Sequence, residues 1–257
     1  MKRKEWCTVI SQEELTEGVF SMWLEAKDMA AEAEAGQFVS VYCRDGARLL
    51  PRPLSLCEID KEKGQLRLVY RIAGKGTDEL SELQAGDQVS VLGPLGNGFP
   101  LEAAKGKTLF LMGGGIGIPP MLETAKQLDG NKKIIVGYRD MNQFLIEELE
   151  KAGDLYIATE DGSVGTKGNV LDAVRSEGLE GDVIFACGPT PMLRAIKAFA
   201  QEKKMECYIS MEEKMACGVG ACLACVCKSK EVDGHSHVHN KRICKDGPVF
   251  EASEVEL

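Results

Sequence analysis

The chain has 257 residues, 44% hydrophobic and 28% charged, as in a soluble globular protein with room for two cored domains and an appendage. Its formal charge of −9 argues against nucleic acid or an anionic membrane surface as a partner, and no run reaches the ~18 apolar residues of a membrane span. The start, Met1-Lys2-Arg3-Lys4-Glu5-Trp6, lacks the apolar stretch of a signal peptide, and the ten cysteines include a group at metal spacing. A cytoplasmic protein is therefore expected.

Residues 1–102 read as short strands between turns. Cys7–Ile10, Phe20–Leu24, Gln37–Tyr42, Gln65–Tyr70 and Gln88–Leu92 cluster apolar residues at strand length, separated by glycine turns, which suggests a small antiparallel barrel. A helix is expected from Thr77 to Leu83, with Thr77 as its N-cap. Two places are too specific for scaffold alone. Arg52-Pro53-Leu54-Ser55 sets a cation and a hydroxyl on a proline-stiffened strand entry. Arg71-Ile72-Ala73-Gly74-Lys75-Gly76-Thr77 is a glycine turn that can offer N–H groups to phosphate. Gly93–Phe99 reads as a loop too rich in glycine to pack a core.

Residues 103–206 change grammar. Thr108–Met112 is a continuous apolar run, as in a strand buried on both faces of a parallel sheet. It meets Gly113-Gly114-Gly115-Ile116-Gly117 and then an amphipathic stretch from Met121 to Leu128, a dinucleotide-binding pattern in which Ile118 occupies the third glycine position. Strands at Lys133–Tyr138, Leu155–Thr159 and Asp182–Ala186 alternate with helices at Gln143–Lys151, Asn169–Ser176 and Thr190–Lys203. This is a doubly wound α/β domain whose ligand belongs at the carboxyl ends of the strands, where Gly113–Gly117 and Cys187-Gly188-Pro189 fall.

Residues 207–257 carry Cys217-x4-Cys222-x2-Cys225, the plant-type spacing for a 2Fe–2S cluster. Gly218 and Gly220 let the backbone approach the sulfurs. The fourth ligand is Cys244 or Cys227. Cys244 is favoured because Cys227 follows Cys225 so closely that an extended chain points the two side chains apart. A structural zinc site usually takes two separated Cys-x2-Cys pairs, and a redox dithiol is the other bland reading. His235, His237 and His239 fall in a polar segment expected to be an exposed hairpin tip or a disordered insertion.

Arg52-Pro53-Leu54-Ser55, Gly76-Thr77, Gly93-Pro94-Leu95-Gly96, Gly113–Gly117 and Cys187-Gly188-Pro189 stand in an order that resembles the ferredoxin–NADP reductase superfamily. The signature Glu213-x-Met215-x-Cys217-Gly218-x-Gly220-x-Cys222-x-x-Cys225 and the tail Cys244-x-Asp246-Gly247-Pro248-Val249-Phe250 are similar to those of the electron-transfer subunits of bacterial NAD-linked dihydroorotate dehydrogenases.

The resemblance implies a β-barrel flavin domain, an α/β nucleotide domain and a small cluster-binding domain. It implies FAD, a 2Fe–2S cluster and NAD as cofactors, and an FMN-containing catalytic subunit as partner, as a heterotetramer of two of each. By similarity, Arg52 binds the FAD pyrophosphate, Pro53 and Leu54 flank it, and Ser55 sits at flavin N5. Val69, Tyr70 and Arg71 line the flavin, and Gly76 and Thr77 cap its phosphates. Gly114 and Gly115 admit the nicotinamide nucleotide, and Cys187, Gly188 and Pro189 place the nicotinamide. Asp140, after the second strand of the nucleotide domain, would accept from the ribose hydroxyls.

Cys217, Cys222, Cys225 and Cys244 would hold the cluster. The sequence departs from the superfamily in having Leu54 where a tyrosine is common, and in a longer segment between Cys225 and Cys244. Two alternatives are another oxidoreductase subunit, of a sulfhydrogenase or a ferredoxin:NADP transhydrogenase, and a zinc-stabilised binding module. Cys217, where the transhydrogenase would have aspartate, separates the first, and a colourless protein would mark the second.

Overall fold

The computed structural model describes residues 2–234 and 237–257. The first strands alternate inward apolar and outward polar side chains, and they close on themselves. These are β1 (Arg3–Thr16), β2 (Val19–Glu25), β3 (Phe38–Tyr42), β4 (Arg52–Asp60), β5 (Gln65–Arg71) and β6 (Gln88–Leu95), hydrogen-bonded in the order β1-β2-β5-β4-β3-β6 as a closed barrel. Closure leaves no free edge. Val9, Met22, Leu24, Val39, Val41, Leu56, Leu66, Leu68 and Val91 fill the interior.

Two short helices lie in the barrel's connections, α1 (Lys27–Glu32) and α2 (Lys75–Ser81). The expected helix at Thr77 begins earlier, because Gly74 is its N-cap and Thr77 is already inside. The Thr77 hydroxyl accepts from the Ala73 N–H at 2.8 Å and donates to the Gly74 carbonyl at 3.0 Å, bracing the turn that precedes the helix. Gly93–Phe99 is likewise corrected: β6 runs through Gly93-Pro94-Leu95, and both Leu95 and Phe99 are buried in the core.

The nucleotide half follows the expected alternation: β7 (Leu109–Gly114), α3 (Pro119–Gln127), β8 (Lys132–Tyr138), α4 (Ile146–Ala152), β9 (Asp154–Thr159), β10 (Thr166–Lys167), α5 (Val170–Ser176), β11 (Val183–Cys187) and α6 (Thr190–Lys203). Asn169 caps α5 in a reciprocal box with Asp172. The sheet order is β10-β9-β8-β7-β11-β12-β15, where β12 is Glu206–Ser210 and β15 is Val249–Glu251, antiparallel to β12. Strands leave β7 in both directions, so a crevice opens at its carboxyl end.

The cysteine segment is thus held between two strands of the nucleotide sheet. It adds only a hairpin, β13 (Val226–Lys228) with β14 (Asn240–Arg242), and a helical turn, α7 (Ile243–Asp246). His237 and His239 lie in that hairpin's connection, with His239 Nδ1 2.9 Å from the Lys230 carbonyl, while His235 lies outside the described residues.

Candidate flavin, nucleotide and iron–sulfur sites

Two cavities meet at the carboxyl end of β7. The first, about 700 Å³, lies between the barrel and the stretch after β12. Arg52, Pro53, Leu54, Ser55, Val69, Tyr70, Arg71 and Thr77 line it, all of them singled out from the sequence. Strand alternation divides their roles. Tyr70 is buried, stacks on Phe20 and donates its hydroxyl to Gln12 Oε1 at 2.9 Å, so its ring belongs to the barrel core. Burial pushes that phenol's pKa well up. Gly76 does not line the cavity, but a Cβ there would collide with the Arg52 guanidinium, so glycine lets that cation lie flat over the turn. A cation on a glycine turn at the mouth of a cavity this size suits the diphosphate of a dinucleotide flavin.

The second cavity, about 660 Å³, is lined by Gly114, Gly115, Asp140 and Pro189, and by Arg139, Glu160 and Glu17. Arg71 lines both cavities. The turn after β7 is the wall between them: Gly114 and Gly115 face the second cavity and Ile116 the first. A side chain on Gly114 would press on Met192, and one on Gly117 would strike the Cys187 carbonyl, so both glycines permit close crossing of two βα turns. Asp140 Oδ1 accepts from the Asn142 N–H at 2.8 Å, which fixes the turn beyond β8.

Cys187 and Gly188 line neither cavity. The Cys187 side chain is wholly buried, and burial, followed by the charge of Glu212, pushes its thiol pKa up. Whatever Cys187 contributes to a nicotinamide site comes from its backbone position at the end of β11.

The four candidate cluster cysteines form two pairs. Cys217 accepts from the N–H groups of Val219 at 3.4 Å and Ala221 at 3.3 Å, and also bonds with Cys222. Burial opposes ionisation of Cys217, but these donors outweigh it and hold its pKa down at about 6. Cys225 bonds with the Cys244 side chain and accepts from the Cys244 N–H at 3.4 Å, which brings its pKa to about 6 and pushes that of Cys244 up. Gly220 N–H points at Cys244 Sγ, 3.1 Å away. Gly218 and Gly220 take φ of +68° and +83°, the left-handed region that turns successive N–H groups inward.

Among the described residues no three His, Cys, Asp or Glu side chains gather as ligands of a single ion. Two thiol pairs with converging amides fit a two-iron group instead. Cys227 stands apart, with its Sγ 3.5 Å from the Lys241 carbonyl to which it donates. Cys225 and Cys244 are buried, whereas Cys222 is exposed beside Val219, Leu223 and Val226.

Sequence reasoning missed the connection between these sites. Ser210, Met211, Glu212, Glu213, Lys214 and Met215 line the flavin-sized cavity and run directly into Cys217. Met215 also packs in one core with Phe38, Cys225 and Cys244. The Glu213-x-Met215 signature was the available signal. Arg242 was missed too: it is buried, bonds Asp246 through Nε at 2.9 Å and places a cation behind Gly220.

A closed barrel on a doubly wound sheet, with two cavities sharing one wall and a cysteine loop beside them, defines a flavin-dependent reductase of the ferredoxin-reductase fold with a built-in iron–sulfur loop. Residues 7–99 match the model of the oxidoreductase FAD-binding domain, and residues 212–256 that of the iron–sulfur cluster binding domain of dihydroorotate dehydrogenase B. Over its whole length the chain is 43% identical to the dihydroorotate dehydrogenase B (NAD(+)) electron transfer subunit of Bacillus cereus strain B4264, all of which is covered. With that of Geobacillus thermodenitrificans it is 46% identical, covering 99% of each.

Among solved structures, an NADH-dependent reduced ferredoxin–NADP oxidoreductase studied for flavin-based electron bifurcation is similar at 30% identity. It has a TM-score of 0.84, with 97% of this chain and 89% of that one covered. The chain belongs to the family of dihydroorotate dehydrogenase B electron transfer subunits.

Proposed function

We propose that this chain carries electrons from a dihydroorotate-oxidising catalytic subunit through a 2Fe–2S cluster and FAD to NAD+, a step of pyrimidine biosynthesis. It is one subunit of an oxidoreductase, not a complete enzyme. The observation that carries the reading is the single wall, Ser210–Met215, that borders the flavin-sized cavity and continues into Cys217. Bound FAD supplies the exchange between single electrons, which a cluster passes, and the hydride that nicotinamide requires.

The chain's own residues position these groups. Arg52 and the Gly76–Thr77 turn hold the diphosphate, Pro53, Leu54, Val69, Arg71 and the Tyr70 backbone flank the flavin, and Ser55 faces its N5 edge. Gly114, Gly115 and Pro189 admit the nicotinamide nucleotide, Asp140 takes its ribose, and the backbone of Cys187 and Gly188 packs behind the glycine turn at Gly117. Cys217, Cys222, Cys225 and Cys244 hold the cluster. Residues 1–102, 103–206 and 207–257 serve as the flavin, nucleotide and cluster domains. The partner carries FMN, the assembly is a heterotetramer of two of each subunit, and it works in the cytoplasm.

Purification from the native host tests this directly. A coloured protein with flavin and iron–sulfur absorption should copurify with a flavin-containing partner, and the pair should reduce NAD+ with dihydroorotate. Heat-released flavin should run as FAD from this chain. A colourless chain, or a coloured one whose pair with the partner ignores dihydroorotate, would refute it.

A further inference from the structure

The outer face of β3 and β6 is covered by the cysteine loop. Phe38 and Ser40 project from β3 on that face, since Val39 and Val41 fill the barrel interior. A Cβ built on Gly218, the residue after Cys217, would lie 3.1 Å from Leu95, 3.2 Å from Ser40 Oγ and 3.7 Å from Leu92. Ser40 is completely buried, and its hydroxyl is among the few buried side-chain atoms without a hydrogen-bond partner in the described residues. Its neighbour Phe38 lines the flavin cavity, so Ser40 stands at the junction between that cavity and the cysteine loop.

A buried hydroxyl with no partner carries the full cost of its desolvation with nothing to offset it. Native interiors hold few such groups, and each calls for an explanation. Ordered water is a poor one, because a water needs several polar partners and the barrel side chains beside Gly218 are Leu92 and Leu95. Among the described residues no cysteine sulfur is hydrogen-bonded to Ser40. The acceptor it faces is therefore one the polypeptide does not contain. Inorganic sulfur of a cluster held by this loop would meet that requirement: it is electron-rich, and the loop already turns the amides of Val219, Gly220 and Ala221 toward the sulfurs of Cys217 and Cys244.

We propose that the Ser40 hydroxyl donates a hydrogen bond to inorganic sulfur of the 2Fe–2S cluster and so raises its reduction potential. This rests on the cluster assignment made above. The direction follows from charge: reduction makes the sulfurs more negative, a donor stabilises that state more than the oxidised one, and hydrogen bonds to sulfur tune cluster potentials. The donor is on the flavin barrel, so the barrel tunes the group that exchanges electrons with its own flavin.

The test compares the purified holoprotein with Ser40→Ala and Ser40→Thr. Iron and acid-labile sulfide, the midpoint potentials of cluster and flavin, and exchangeable-proton couplings in the pulsed EPR of the reduced cluster are measured for each. Ser40→Ala should keep full iron and sulfide, shift the cluster potential downward while leaving that of the flavin in place, and lose one exchangeable coupling. Ser40→Thr, which keeps the hydroxyl, should retain the unmodified potential and coupling. An Ala variant with unchanged potential and coupling would overturn the proposal. Failure of the cluster assignment would look different, since Cys217→Ser would then have the same iron and sulfide content as the unmodified chain.

Discussion

The barrel meets the rest of the molecule along two seams built from different materials. On the nucleotide side charged contacts flank an apolar core in which Val19, Cys57 and Val69 of the barrel pack with Ile118, Met121 and Leu122. Arg67 of β5, 5% exposed, bonds Ser21 Oγ at 2.8 Å, Glu58 of β4 at 2.5 Å and Glu148 of α4 at 3.3 Å. Glu58 also pairs with Lys126 of α3, and Glu123 of α3 accepts from the Ile59 N–H at 2.8 Å. On the cluster side no ion pair among the described residues crosses. Phe38, Leu92, Leu95 and Gly218 pack there, and Asn97 bonds the carbonyls of Lys245, Asp246 and Gly247. Directional ion pairs fix the angle between flavin and nucleotide cavities, which hydride transfer requires. The apolar seam excludes water from the barrel side of the cysteine loop, while Cys222 on the far side stays exposed.

The largest effect should come from breaking the cluster side. Cys244→Ser removes a buried thiol that is bonded to Cys225 and faces the Gly220 amide, and it should strip or destabilise the cluster while FAD stays bound. Iron, sulfide and flavin content report this. Cys227→Ser should leave all three at normal levels, and the opposite pattern would reassign the fourth ligand.

Next in size is the charged seam. Arg67→Ala leaves the part-buried Glu58 with Lys126 alone, at a cost of about 1–3 kcal/mol. Denaturant unfolding should show it, together with slower flavin reduction by NADH, while cluster content is unchanged. If the variant lost the cluster and kept rapid NADH reduction, the two seams would not be independent. A smaller effect is expected at the outer rim, where Leu223 is 41% exposed beside Cys222. Leu223→Asp should weaken copurification with the catalytic subunit by roughly tenfold, about 1.4 kcal/mol, and spare NADH oxidation with an artificial acceptor.

How much of this was legible in the sequence tracks the two kinds of seam. The nucleotide strands announced themselves as apolar runs, and the cysteine spacing named the cluster, because each is a local pattern. Of strand β4 (Arg52–Asp60) only the proline-stiffened entry was legible, and in the barrel Pro53 takes its place opposite Ser40 of β3. Tyr70 was expected to line the flavin and does border the cavity, but the inward turn of its ring was not read from the strand alternation. The wall from Ser210 to Met215 left only the Glu213-x-Met215 signature as a trace, because its placement depends on β12 and β15 pairing from opposite sides of the cysteine segment. Ser40 carried no signal at all: an orphan hydroxyl exists only once the loop has folded over it.

The smallest effect sharpens the charged side. NAD carries a free ribose diol where NADP carries a 2′-phosphate, and the cavity that would receive it holds Arg139 and Arg71 against Asp140, Glu160 and Glu17. Arg139 by itself would welcome the phosphate. Asp140 beside it repels that group and can accept from the diol. One carboxylate at such a half-exposed position is worth about 1 kcal/mol in an aqueous setting, roughly fivefold in kcat/KM. Asp140→Ala should therefore narrow the preference for NADH over NADPH by about that factor, measured as reduction of an artificial acceptor. It should not reverse the preference, because Glu160 and Glu17 still line the same cavity. An unmodified protein that prefers NADPH, or an Asp140→Ala variant with an unchanged ratio, would show that Asp140 plays no part in reading the ribose.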